Sequence, residues 1–164
     1  MKYALAAAAV AALFAVTPAV AQDMSTYGSI GYSNIDVDPV NLGGATLRFG
    51  MRGAHFGGEV EGSFGIKGDS VAGLDVDLNN EIGVYAVGYL PVGENTDLIG
   101  RVGWARVDID TTLGGADDNG VAYGVGIQHF FGGGANGVRA DYTHFTLDTF
   151  DDADAWSISY VRKF

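Results

Sequence analysis

The sequence predicts a closed, eight-stranded antiparallel β-barrel that crosses a membrane. Period-two alternation of large apolar with small or polar side chains recurs in segments of about ten residues, the length a tilted strand needs to cross a bilayer. The 26 glycines lie within the apolar runs instead of gathering into linkers. Each costs a helix interior about 1 kcal/mol, which disfavours helices nearly everywhere after residue 21. The third observation is that short connections alternate with longer, Asp-rich ones, as they must when every second connection of an up-and-down barrel lies at the same end.

The first residues are of another kind. Lys2 precedes an apolar run from Ala4 to Val16, and Thr17-Pro-Ala-Val-Ala21 follows. Small residues at Ala19 and Ala21 fit an export signal cleaved after Ala21. The run is too short for the ~20 residues of a spanning helix, and Pro18 ends it. The reading is a signal peptide over 1–21 and one barrel domain over 22–164.

Composition narrows the function classes. Of nine Lys and Arg, Lys2 leaves with the signal, so eight basic groups face twenty Asp and Glu. Nucleic acid is excluded as a partner, because phosphate binding needs a basic footprint. Cysteine is absent, so the exported chain is held by hydrogen bonding, packing and the bilayer instead of by cross-links.

The eight strands are expected near 25–35, 42–52, 55–65, 75–90, 97–108, 120–131, 137–147 and 155–164. Short turns fall at Arg52-Gly-Ala-His55, Pro91-Val-Gly-Glu-Asn-Thr96 and Gly132-Gly-Gly-Ala-Asn-Gly137. Longer loops fall near 36–41, 66–74, 109–119 and 148–154. In the second hairpin, a Gly53–Ala54 turn sets Arg52 opposite His55, Phe49 opposite Gly58, Arg48 opposite Glu59 and Thr46 opposite Glu61, with every polar position on one face. A slip by one residue sends Arg48 into lipid at about 2 to 4 kcal/mol.

Carried around the wall, the rule faces Leu47, Phe49, Met51, Val60, Ile82, Val102, Val125, Ile127, Val138, Ile158 and their like to lipid. Inward go Arg48, Glu59, Glu61, Ser63, Glu81, Tyr85, Tyr89, Arg101, Gln128, Arg139, Asp141, Thr143, Ser157 and Ser159. Tyr32, Phe64, Trp104, Tyr123 and Trp156 form an aromatic girdle toward the loop end. Arg106 points outward on strict alternation. It is expected at headgroup level, where its stem can snorkel, or turned inward by a bulge.

Val84-Tyr-Ala-Val-Gly-Tyr-Leu-Pro91, Arg101-Val-Gly-Trp104, Tyr123-Gly-Val-Gly-Ile-Gln128, Gly137-Val-Arg-Ala-Asp-Tyr142 and the last strand ending in Phe164 carry a resemblance. The chain resembles the small eight-stranded outer-membrane barrels of the OmpA/OmpX type, the broad "outer membrane protein β-barrel domain" or porin-like family, over essentially its whole mature length. That resemblance implies a Gram-negative outer membrane as the location, with lipid and lipopolysaccharide as surroundings. It also implies that the barrel assembly machinery reads the final strand, here Trp156, Ile158, Tyr160 and Phe164. The third residue from the end is apolar in that pattern and is Arg162 here.

The candidate constellation is the lumenal charge network of Arg48, Glu59, Glu61, Arg101, Arg139 and Asp141. An eight-stranded barrel is only wide enough for side chains to fill, so these charges form a plug of ion pairs. The sharper alternative is a gate whose salt bridges swap partners to open a narrow cation-preferring pore. The loop acids, from Asp36 and Asp38 to Asp151, Asp152 and Asp154, read as a solvated anionic rim. Asp75-x-Asp77-x-Asn79 begins like a calcium loop but lacks the glycine and glutamate that complete one. His55, His129 and His144 are too scattered for a metal set. A hydrolase pairing of His144 with Ser157 or Ser159 is a disfavoured alternative, since isolated residues of this kind are common by chance. No helix follows Gly132–Gly137 to make it a phosphate cradle.

The expectation is therefore a monomeric, non-enzymatic barrel without cofactor or metal that supports the envelope. A pore ranks second and a loop-mediated binding or adhesion module third. A soluble lipocalin-like barrel ranks last, because the charges point inward and the apolar face outward.

Overall fold

A computed structural model describes residues 24–37, 40–71, 74–111, 114–132, 134–148 and 152–164. The expected signal peptide lies outside these residues. Nine strand segments are present among them: β1 (Ser25–Val37), β2 (Val40–Arg52), β3 (Phe56–Lys67), β4 (Asp69–Val71), β5 (Leu74–Pro91), β6 (Thr96–Thr111), β7 (Gly114–Phe131), β8 (Asn136–Leu147) and β9 (Ala153–Lys163). Their order is β3-β2-β1-β9-β8-β7-β6-β5-β4, and β3 also pairs with β5, which closes the sheet. Every pairing is antiparallel. The three-residue β4 continues the path of β3 beyond Gly68 and pairs only with β5, so the barrel has eight staves. No edge is left in the closed wall, the one sheet arrangement that satisfies backbone groups in lipid.

The wall alternates as the side-chain period requires. Along β8 and β9 nearly every odd-numbered side chain is buried inside and every even one lies outside. Leu47, Phe49, Ile82, Val102, Val125, Ile127, Val138 and Ile158 are all exposed on the outer face, where acyl chains replace water. Val125 stands midway along the crossing part of β7 and is 65% exposed. Val125→Arg is expected to cost about 2 to 4 kcal/mol of folding free energy in lipid vesicles, whereas Val92→Arg, in a turn, costs near zero. Urea titration of vesicle-inserted protein measures both.

The β2–β3 hairpin corrects one expectation. Gly53 and Phe56 close the turn, with the Gly53 amide donating to the Phe56 carbonyl at 2.8 Å, so the turn residues are Ala54 and His55. Arg48 lies opposite Glu61, Gly50 opposite Glu59 and Thr46 opposite Ser63, two residues along from the expected pairing. A shift by two leaves every side chain on its own face, so the apolar pattern cannot tell these registers apart. Interior chemistry can. In the observed register Arg48 meets Glu61 as an ion pair, while Glu59 faces a glycine and is free to reach the centre of the lumen.

The expected long loops also need correction. β1 runs to Val37 and β2 begins at Val40, and β6 and β7 stay paired up to Thr111 and Gly114. The stretches 36–41 and 109–119 are thus mostly strand, and so is Asp75–Asn79. Alternation continues past the membrane with Asp in place of apolar residues, and a cross-strand ladder does not require apolar side chains.

Candidate functional site

Four strands feed one ion cluster across the lumen. Glu59 and Glu61 come from β3, Arg48 from β2, Arg101 from β6, and Arg139 and Asp141 from β8; each is at most 6% exposed. Arg139 donates through Nη1 to Glu59 Oε2 at 2.6 Å and through Nε to Asp141 Oδ1 at 2.8 Å. Arg101 donates through Nη1 to Glu61 Oε2 at 2.8 Å and Glu59 Oε1 at 3.1 Å, and through Nη2 to Thr143 at 2.7 Å. Arg48 pairs with Glu61 through Nε and donates through Nη2 to Ser157 at 2.9 Å. Three guanidinium groups thus meet three carboxylates, with hydroxyls filling remaining sites. That full pairing makes buried charge tolerable, since an isolated ion in a low-dielectric interior is very costly. Tyr27 donates to Glu59 at 2.7 Å, and Arg101 stacks over the Tyr85 ring at 4.2 Å.

A second polar layer lies on the turn side. Arg52 grips Asp97 with both terminal nitrogens at 2.6 and 2.9 Å, Gln128 adds a bond at 2.9 Å, and Arg52 covers the Tyr89 ring. Arg52 is expected at the turn, and Asp97 is absent from the expected lumenal set. Their signal was parity, because Arg52 follows Arg48 by an even step and Asp97 precedes Arg101 by one.

On the loop side the lumen becomes largely apolar, with Asp118 of β7 the buried carboxylate at that level, opposite Val107. Going outward, the inward residue beyond the polar ones is Ile35 on β1, Leu42 on β2, Val107 on β6, Phe145 then Leu147 on β8, and Ala155 then Ala153 on β9. All are buried and belong to one cluster with Leu78. The expected lumenal set holds only polar residues and lacks this cap, although the cap's members share the same parity. From the turn end outward the interior is therefore a small ionic layer, the six-member ion cluster and an apolar seal.

The outer face carries the remaining candidates. Phe64, Trp104, Tyr123 and Trp156 are exposed there, and Tyr32 packs its ring 6.0 Å from that of Trp156. Arg106 points outward and pairs with Asp117 at 3.0 Å and Asp108 at 3.4 Å. The nearby bulge lies on β5, between Leu78 and Asn80, and leaves Arg106 on its own face. Trp156, Ile158 and Tyr160 line the outer face of β9, and the Phe164 amide donates to the Thr26 carbonyl at 2.9 Å.

Two alternatives lose their geometry. His144 is bonded on the outer side to Asp154 at 2.7 Å, whereas Ser157 and Ser159 are buried in the lumen, so the wall separates the histidine from both hydroxyls. Among the described residues, no three His, Cys, Asp or Glu side chains converge as a metal site. Gly132 and Gly134 adopt positive φ of 49° and 85° and form a turn.

Closure, the inward charges and the apolar outer belt specify a membrane barrel, and comparison with known proteins agrees. Residues 6–164 match the family described as outer membrane protein beta-barrel domain. The chain belongs to that family. It is accordingly an outer-membrane protein. Its fold is similar to that of Ail, the attachment invasion locus protein of Yersinia pestis, solved with the heparin analogue sucrose octasulfate. That match has a TM-score of 0.64 at 20% identity, covering 87% of this chain and 100% of the other. The N-terminal β-barrel domain of Pseudomonas aeruginosa OprF aligns with TM-score 0.62 at 12% identity, covering 87% and 98%. Neisserial surface protein A aligns with TM-score 0.60 at 14% identity, covering 85% and 95%. At these identities the likeness is one of fold. No curated protein sequence matches the chain as a relative.

Proposed function

We propose that the protein is a closed structural barrel that supports envelope integrity and passes no solute. The observation that carries this reading is the double closure of the lumen, in which an ion cluster that pairs every one of its arginines lies beneath an apolar seal. Exchange of salt-bridge partners alone leaves that seal in place, which disfavours the gated cation pore. The non-enzymatic reading is supported by the separation of His144 from Ser157 and Ser159. Ail was solved with a sulfated sugar analogue, but this chain carries a net charge of −11, which repels such polyanions. Acidic strand extensions instead suit divalent-bridged contact with lipopolysaccharide phosphates.

The same reading takes residues 1–21 as the export signal, the barrel as a monomer, and Trp156, Ile158, Tyr160 and Phe164 as the strand that the assembly machinery recognises. Deleting Phe164 is expected to lower the amount inserted in cells while leaving detergent refolding intact; undiminished insertion contradicts the recognition role.

The functional test is envelope leakage. Cells lacking the protein are expected to release a periplasmic enzyme and to admit a bulky antibiotic, and the wild-type chain restores the barrier. An unchanged barrier in the deletion strain refutes the structural role.

A further inference from the structure

Between the ion cluster and the apolar seal lies a chamber of about 10 Å³, room for one water-sized group. Glu81 of β5 lines it and is 1% exposed. Its Oε2 accepts from Ser63 at 2.7 Å, and its Oε1 is buried with no hydrogen-bond partner. Every arginine near it is already committed. Arg48 pairs with Glu61, and Arg101 with Glu61 and Glu59. Glu81 is therefore a fourth carboxylate beside the three guanidiniums of the cluster, and a buried charge in surplus calls for a countercharge.

The neighbouring groups suit a small cation. Ser63 lies 2.9 Å from Thr46, and Thr46 lies 2.7 Å from Ser33, so hydroxyl oxygens run from Glu81 across β3 and β2 to β1. Each hydroxyl has one hydrogen, so the run is satisfied only when all point the same way. Pointing toward Glu81 suits its carboxylate. The reverse sense needs a hydrogen on Glu81 itself; Ser63 donates to Glu81 in the forward sense, whereas Thr46 donates to Ser33 in the reverse one, so the two ends of the run point apart. The charged groups lining the chamber are Arg48 from β2, Glu61 from β3 and Arg101 from β6, and the Tyr85 phenol lies nearby on β5; the lining residues of β1, β8 and β9 are uncharged. A divalent ion would overcompensate one surplus carboxylate beside two guanidiniums. Hard oxygen donors and the small volume select a single dehydrated positive charge.

We propose that Glu81, with the hydroxyls of Ser63, Thr46 and Ser33, is a lumenal binding site for one monovalent cation, an alkali ion or a proton. Occupancy neutralises the surplus carboxylate and locks the hydroxyl run that ties β1, β2, β3 and β5 together. The site is independent of whether the barrel conducts.

The test uses the full detergent-folded protein. Urea midpoints are compared in sodium chloride and in the chloride of a bulky organic cation at equal ionic strength, and infrared spectra record the carbonyl stretch of protonated carboxyls. A midpoint raised by sodium in wild type and unmoved in Glu81→Gln identifies an alkali ion. A protonated-carboxyl band that Glu81→Gln removes identifies a proton. Should Glu81→Gln fail to fold, Ser63→Ala takes its place and is expected to weaken the same signal. A wild type with neither sodium response nor protonated-carboxyl band overturns the proposal, as does a Glu81→Gln protein responding like wild type.

Discussion

Glu59→Ala is expected to lower the unfolding free energy of the barrel by about 3 to 5 kcal/mol, the usual cost of breaking a buried ion pair by removing one partner. Glu59 is 1% exposed and accepts from Arg101, from both terminal nitrogens of Arg139 and from Tyr27. Its loss leaves three guanidiniums with two carboxylates in their cluster and strands the Tyr27 hydroxyl beside them. Arg106→Ala serves as the contrast. Its partners Asp108 and Asp117 are partly or largely exposed, and a surface pair contributes about 0 to 1 kcal/mol. Urea unfolding of the two variants, followed by the fluorescence of Trp104 and Trp156, measures the difference. Equal costs would show that the interior cluster is no better insulated than the rim.

Gly31→Val is expected to block closure of the barrel. Gly31 sits on β1 opposite Ser159 of β9, the seam that joins the first strand to the last. A Cβ there falls inside the envelope of the Ile158 carbonyl oxygen and 2.5 Å from the Ser159 Cβ, so the two strands could not keep their spacing. Backbone gives way far less readily than a side-chain end, and the cost exceeds the 1 to 3 kcal/mol typical of overpacking, on the order of the barrel's whole margin. Gly100→Val is the control, because a Cβ there meets nothing within 4 Å. The folded band on unheated gels should vanish for the first and persist for the second. A closed barrel from Gly31→Val would mean that the seam tolerates a different register.

Alternation made most of the fold legible from sequence. Arg48, Glu59, Glu61, Arg101, Arg139 and Asp141 share the inward face because a period of two leaves them no other, and the outward Val125 and Ile158 follow from the same rule. Pairing partners were less legible. Arg48 opposite Glu59 and Arg48 opposite Glu61 present identical faces, and only three-dimensional satisfaction of Glu59 by Arg101 and Arg139 separates them. The apolar cap was hidden for another reason. Ile35, Leu42 and Phe145 belong to neither expected face, because the parity of their strands has to be carried past the girdle to place them. Asp-rich stretches were read as loops for a related reason, since the acids of β6 and β7 lie on strands that continue above the bilayer.

Layering also separates stability from permeability. Breaking an ion pair in the cluster removes stability, but the seal of Ile35, Leu42, Val107, Phe145 and Leu147 stays above it. An apolar constriction of this kind resists ions by resisting water.

Single-channel recording in a planar bilayer tests the closed lumen most directly, with wild type and Arg48→Ala compared and insertion confirmed for both. The account predicts a silent bilayer in each case, because removing Arg48 opens the ion cluster and leaves the apolar seal intact. Discrete openings in the wild type, or openings created by Arg48→Ala, would contradict it and make the lumenal charges the gate of a pore.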